Sequence, residues 1–248
     1  FALMPVLSCF ILALPFPGFE HIWQVGRFDE RLPEAERERL MAFYEGCLKR
    51  HLFVHGPDKR VLSKNAAFAP LALSLAERFP SARFVVSLRD PQETVPSQLS
   101  SIATGLDFFG GPADSPIVRE RLTSQLAFYY ENLDRLRQRL PAERHAALGM
   151  KELRDGLSPV IESIYARFNL SISAGFAQVL ADEARRSKGY RSSHHYSLEQ
   201  FGLTAAGLRA QFAAAYRHPV LGGATPDAET TSTAPPRLDR LQPRVATC

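Results

Sequence analysis

The side chains best suited to chemistry lie in Arg83-Phe84-Val85-Val86-Ser87-Leu88-Arg89-Asp90-Pro91-Gln92-Glu93-Thr94-Val95-Pro96-Ser97. Arg83 to Leu88 reads as a buried strand that delivers Arg89 at its carboxyl end, the edge at which open α/β sheets bind ligands. Asp90 is then placed as an N-cap, Pro91 at the first helical position and Glu93 as the far member of a capping box. Along that helix Thr94, Ser97 and Ser101 form a hydroxyl stripe beside the apolar Val95, Leu99 and Ile102. An Arg fork and a hydroxyl close to an electropositive helix start make a receptor for a phosphate. The same spacing equally allows Arg89 to pair with Asp90 or another surface acid.

Other candidates carry weaker chemistry. Lys64 ends a short apolar segment, where a fixed cation can meet developing negative charge or simply be solvated. His194 and His195 are adjacent, cannot share one helix face, and sit among Ser and Tyr, which favours a solvated loop. Arg135, Arg137, Arg139 and Arg144 interleave with Glu131, Asp134 and Glu143, a solvated helix face rather than a phosphate track. Phe128, Tyr129 and Tyr130 fall inside a helical pattern and read as core. The three cysteines, Cys9, Cys47 and Cys248, are widely spaced and odd in number. They give neither a disulfide framework nor a zinc pattern, so no metal is expected and a reducing, cytoplasmic setting is the default.

The elements that must hold these residues alternate. Acids at the start and Leu40, Phe43, Tyr44, Cys47 and Leu48 at steps of three and four predict an amphipathic helix over Leu32 to Leu52. Then come a strand at Arg60 to Ser63, a helix from Ala69 to Phe79, the strand Arg83 to Leu88 and a helix from Asp90 to Ile102. A long helix is expected between Ser115 and Leu140, and a third strand at Ala146 to Met150. Further helices follow, one carrying Val160 to Phe168, one from Ala174 to Arg186 and one from Ala205 to Tyr216. Such alternation predicts a three-layer α/β/α domain with a parallel sheet. The domain is expected over residues 1–221, with the polar, Pro-rich stretch 222–248 as a disordered tail. Phe1 to Phe19 is apolar but broken by Pro5, Pro15 and Pro17, which predicts buried core rather than a membrane anchor.

Arg89-Asp90-Pro91 followed by Ser97 resembles the nucleotide-binding motif of sulfotransferases that use 3′-phosphoadenosine 5′-phosphosulfate. The resemblance implies that Arg89 and Ser97 hold the 3′-phosphate of this donor. Lys59 to Asn65 resembles the preceding strand of the family, which implies that Lys64 lies near the transferred sulfuryl group as a catalytic cation. Met150-Lys151-Glu152-Leu153 resembles the family's Tyr-Glu-Asp-Leu strand end. Tyr190 to Leu203 resembles a closing segment, and Lys188-Gly189 an element folded over the 3′-phosphate. The implied fold is P-loop-NTPase-like, and the implied reaction is sulfuryl transfer to a hydroxyl or amine of a small-molecule, lipid or carbohydrate acceptor. Two departures stand out. No Pro-x-x-x-Gly-Thr-Thr loop for the 5′-phosphosulfate occurs, so the chain is expected to lack the first β-loop-α unit of the fold. Asn65, Ala66, Ala67 and Phe68 follow Lys64 where many members carry a His as general base.

A formal charge of +4 and a pI near 9.1 suit an anionic ligand as well as a nucleic acid. Two other readings therefore compete with the transferase: a non-catalytic anion or nucleic-acid binding module, and a nucleotide kinase. The interleaved acids argue against the first, and the absence of G-x-x-x-x-G-K-[ST] against the second.

Overall fold

The computed structural model describes residues 13–112, 115–187 and 197–222. In chain order the helices are α1 (Glu20–Val25), α2 (Phe28–Arg31), α3 (Glu34–His55), α4 (Ala72–Arg78), α5 (Pro91–Phe108) and α6 (Pro116–Arg139). They continue as α7 (Met150–Asp155), α8 (Leu157–Arg167), α9 (Ala174–Ser187), α10 (Ala205–Gln211), α11 (Ala213–Tyr216) and α12 (Pro219–Gly222). A 3-10 helix, Ala66–Leu71, leads into α4. Strands β1 (Phe84–Leu88) and β2 (His145–Gly149) pair in parallel, with Phe84 opposite His145 and Leu88 opposite Gly149.

Helices cover both faces of this small sheet, which gives the α/β layering. Side chains alternate along a strand. Phe84, Val86 and Leu88 therefore point to one face, where they pack with Leu75 of α4, Val95 of α5, Leu126 and Leu136 of α6. Ala146 and Leu148 of β2 point to the other, against Ile164 of α8 and Phe168. Burial of these apolar faces supplies the main driving force for the layering. The start of α5 is specified as its sequence implies, since the Asp90 carboxylate accepts from the Gln92 N–H at 2.8 Å and Pro91 opens the helix. Ser115 caps α6 in the same manner, accepting from the Val118 N–H.

Three expectations are corrected. Arg60 to Ser63 is not a strand, for the chain from 59 to 64 is exposed and outside the sheet, with Leu62 94% exposed. Adjacent Val61 and Leu62 would point to opposite faces of a strand, so only a position covered on both sides would bury them. Among the described residues no strand lies beside them. Arg83 to Leu88 is buried on one face only, with Val85 51% exposed, because α8 lies over β2. The amphipathic reading of α3 holds for its first half, where Leu40 and Met41 join the cluster around Phe28 and Leu71. Phe43 nevertheless faces outward, and farther on the helix leaves the core, with Phe53 and Val54 exposed.

The helix expected over Ala205 to Tyr216 is interrupted at Phe212, whose ring is 1% exposed between α10 and α11. The readings of residues 1–12, of Lys188 to Tyr196 and of the tail beyond Gly222 lie outside the described residues. No helix among the described residues is long and apolar enough to cross a membrane.

His218, just ahead of α12, is 7% exposed, and its Nδ1 accepts from the Val220 N–H at 3.2 Å. Burial holds its pKa below the ordinary 6.5, Arg137 and His145 push the same way, and Asp134 opposes them. With the folded pKa depressed, neutral His218 contributes stability above pH 6.5 that is lost as the pH falls through the folded value. The melting temperature should therefore drop between about pH 7.5 and 5.5 more steeply in the wild type than in His218→Asn, whose carbonyl can still accept from Val220. Parallel curves in calorimetry would show that another group titrates.

Candidate functional site

The carboxyl end of β1 runs directly into the first turn of α5, so Arg89 leaves the sheet where the helix N–H groups begin. Its side chain is half exposed, at 46%, and Nε donates to Glu93 Oε2 at 2.7 Å. Glu93 is thus the partner of Arg89 rather than the far member of a capping box, and the cap hydrogen bond runs from the Gln92 N–H to Asp90. The side-chain hydrogen bond of Arg89 runs from Nε, so the four N–H donors of its two Nη groups are left for an anion, without a hydrogen-bond partner among the described residues. Ser97 is half-buried one turn beyond Glu93 on α5, and the Arg89 guanidinium reaches that face through its ion pair with Glu93.

Residues that looked like core pin this turn. The Tyr130 hydroxyl of α6 donates to the backbone carbonyl of Arg89 at 2.6 Å. It lies 3.1 Å from Thr94 Oγ1, and since its one proton is committed to Arg89, the Thr94 hydroxyl donates to it. Burial pushes the Tyr130 pKa up to about 12, with the Asp90 charge adding to it against the hydrogen bond from Thr94. The phenol is protonated at neutral pH and can donate. Tyr216 of α11 donates to Asp90 Oδ1 at 2.7 Å and accepts from the Gln92 side chain at 3.4 Å. Burial, followed by Asp90, raises its pKa as well.

Consecutive residues of a helix lie about 100° apart, so Phe128, Tyr129 and Tyr130 cannot all face one core. That is the signal the sequence offered for Tyr130. Phe128 and Tyr129 do take the buried positions, at 1% and 7% exposure. Tyr216 lies 126 residues from Asp90, and no local pattern announces the contact.

Lys64 is exposed in the segment before the 3-10 helix and makes no hydrogen bond or ion pair with Arg89, Ser97 or any other described residue. The neighbouring Asn65 caps that helix by accepting from the Ala67 N–H at 3.0 Å. At the end of β2, Glu152 accepts from the Gly149 N–H at 2.7 Å and so fixes the strand-to-helix turn beside the site.

The basic residues of α6 are otherwise engaged. Arg135 faces Glu131, Arg137 pairs with Asp134 at 2.8 Å and Arg139 faces Glu77. Arg144 donates to the carbonyls of Ala76, Phe79 and Ala82, closing the end of α4. No group of three or more His, Cys, Asp and Glu able to hold a metal ion occurs among the described residues.

A model described as the sulfotransferase family matches residues 19–174, a stretch that includes Lys64, β1, Arg89, Ser97, Tyr130 and the whole sheet. Comparison with curated proteins and with solved structures returned no match. With more than half of its length in that match and a parallel sheet layered by helices behind the Arg89 turn, the chain belongs to the sulfotransferase family.

Proposed function

We propose that the chain transfers a sulfuryl group from 3′-phosphoadenosine 5′-phosphosulfate to a hydroxyl or amine, with Arg89 and Ser97 binding the donor's 3′-phosphate. The observation that carries this reading is Arg89 itself: a half-exposed fork just past the carboxyl end of a parallel strand, at the start of the helix that carries Ser97. The residues present fit the 3′-phosphate end of the donor. For the 5′-phosphosulfate, no Pro-x-x-x-Gly-Thr-Thr sequence occurs in the 248 residues, and Lys64 is the one residue assigned to that end.

Magnitudes favour an exchange of partners at Arg89. An exposed pair such as Arg89 with Glu93 is worth about 0–1 kcal/mol. A charge-assisted contact from Arg to phosphate contributes about 1.5–3 kcal/mol. The phosphate therefore wins the guanidinium, while the helix start adds favourable potential. Glu93 then stands beside the bound anion and works against it. Lys64 is assigned the charge-neutralising role at the transferred group, since negative charge grows on the departing phosphate as the sulfuryl group leaves. The acceptor is expected to be a small molecule, lipid or carbohydrate. Engagement of Arg137 by the nearly buried Asp134 and of Arg144 by three backbone carbonyls weighs against the nucleic-acid module.

Calorimetric titration tests the assignment. Adenosine 3′,5′-bisphosphate should bind more tightly than AMP, and Arg89→Ala should reduce that preference more than Ser97→Ala, by the ratio expected of about 1.5–3 against about 1 kcal/mol. Equal binding of the two nucleotides by the wild type would remove the support for both residues. Glu93→Gln should tighten the bisphosphate and leave AMP nearly unchanged, because it removes charge next to the 3′-phosphate alone. In turnover assays Lys64→Ala should lower kcat more than it weakens the nucleotide, and a pure affinity loss would refute the catalytic role.

A further inference from the structure

Two phenols from separate parts of the chain meet at a single peptide. Tyr130 holds the carbonyl of Arg89 at 2.6 Å, and Tyr216 holds the carboxylate of Asp90 at 2.7 Å. The Asp90 oxygen that accepts from the Tyr216 hydroxyl is also the one that caps the helix through the Gln92 N–H. The Gln92 side chain closes the loop by donating back to Tyr216. The same C-terminal segment touches the other phenol, for Phe212 packs edge-on against the Tyr130 ring with centroids 5.6 Å apart. Arg209 lies over the Tyr216 ring at 5.6 Å. Ala205 to Tyr216 is thus a brace laid across the turn, and it falls outside residues 19–174 that carry the family match.

We propose that Tyr130 and Tyr216 are positioning residues for the Arg89 anion site, and that α10 and α11 are a working part of the nucleotide site rather than an appendage. This rests on the reading that Arg89 and Ser97 take the 3′-phosphate. The peptide between Arg89 and Asp90 sets two directions at once: that of the Arg89 side chain leaving the strand, and that of the first N–H groups of α5. Holding its carbonyl from one side and its cap carboxylate from the other fixes both. Neither tyrosine touches the phosphate; each acts through the backbone or through Asp90. The coupling is favourable because both groups sit in partly dry surroundings, where an aligned hydrogen bond is costly to replace with water. A rigid receptor of this kind needs less reorganisation when the anion arrives.

The test uses the 248-residue chain, with Tyr130→Phe and Tyr216→Phe, which keep both rings and remove one oxygen each. Affinities for adenosine 3′,5′-bisphosphate and AMP are measured by titration calorimetry, with thermal melts to confirm folding. Each variant should weaken the bisphosphate by about three- to tenfold, the range of one net hydrogen bond, and leave AMP within about twofold. In an Arg89→Ala background the added Tyr216→Phe change should cost less than it does in the wild type, since only its effect on the α5 N–H groups then remains. AMP separates positioning from damage, because a general loss of fold lowers both affinities together, and that result would overturn the proposal. Should the wild type prefer the bisphosphate and both Phe variants keep the full preference, the positioning role is wrong and the 3′-phosphate reading stands. If the wild type shows no preference, the reading beneath it has failed. If one variant does not fold, the other still decides, as the two oxygens lie on different elements.

Discussion

Asp29 is the anion on which the placement of α6 depends. Its two oxygens accept from the Leu73 and Ser74 N–H groups at the start of α4, from the Ser74 hydroxyl, and from the Asn132 amide of α6. The Asn132 amide also donates to the Ala69 carbonyl in the 3-10 helix, and its side chain is completely buried. One carboxylate thus joins α2, α4 and α6, using the helix-start donors that would otherwise be orphaned. Charged hydrogen bonds of this kind contribute about 1.5–3 kcal/mol each, and losing the partner of a buried amide costs about as much again. Close packing depends on the same junction. At Gly26 a Cβ would lie 1.6 Å from the amide nitrogen of the buried Gln125, so a larger residue there must displace that side chain of α6.

The rotation of α6 that Asp29 fixes is also what brings Tyr130 to the strand end. Tyr130 and Asn132 lie two residues apart, about 200° around the helix, so Asn132 can face α2 and α4 while Tyr130 faces Arg89. A core interaction is thereby converted into a functional one, because α6 cannot turn to satisfy one side without losing the other. The candidate site is as rigid as the helix behind it.

The legible parts of the sequence were those where function coincides with local rules. Arg89, Asp90 and Pro91 declare themselves because a strand end, a cap and a first-turn proline occupy consecutive positions, and the structure uses Asp90 and Pro91 in those roles. β2 and the long helix over Pro116–Arg139 follow from apolar runs and spacing. Val61 and Leu62 misled because two apolar residues in a row satisfy a strand pattern without revealing whether a neighbour exists to pair with. Glu93 fitted a capping box by spacing, but an Arg one turn back competes for its carboxylate, and an ion pair forms instead. Tyr216 and Asp29 were illegible for another reason: their partners are distant in sequence, and only the folded chain sets them side by side.

The net positive charge is a poor guide to where an anion binds in this chain, and the arginines show why. Arg144 is spent on three backbone carbonyls, Arg78 on Glu38 and Glu45, and Arg137 on a nearly buried Asp134. Taking Arg144 or Arg137 away for a ligand would uncap a helix or leave a carboxylate unpaired in poor solvent, a cost comparable with what the ligand returns. Arg89 differs in that its partner is as exposed as itself, so water can replace the lost contact at little cost. Its backbone is meanwhile held by Tyr130, so the side chain can change partners while its root stays fixed. Anion recognition therefore belongs where a cation is loosely paired and firmly rooted, and among the arginines compared here Arg89 meets both conditions.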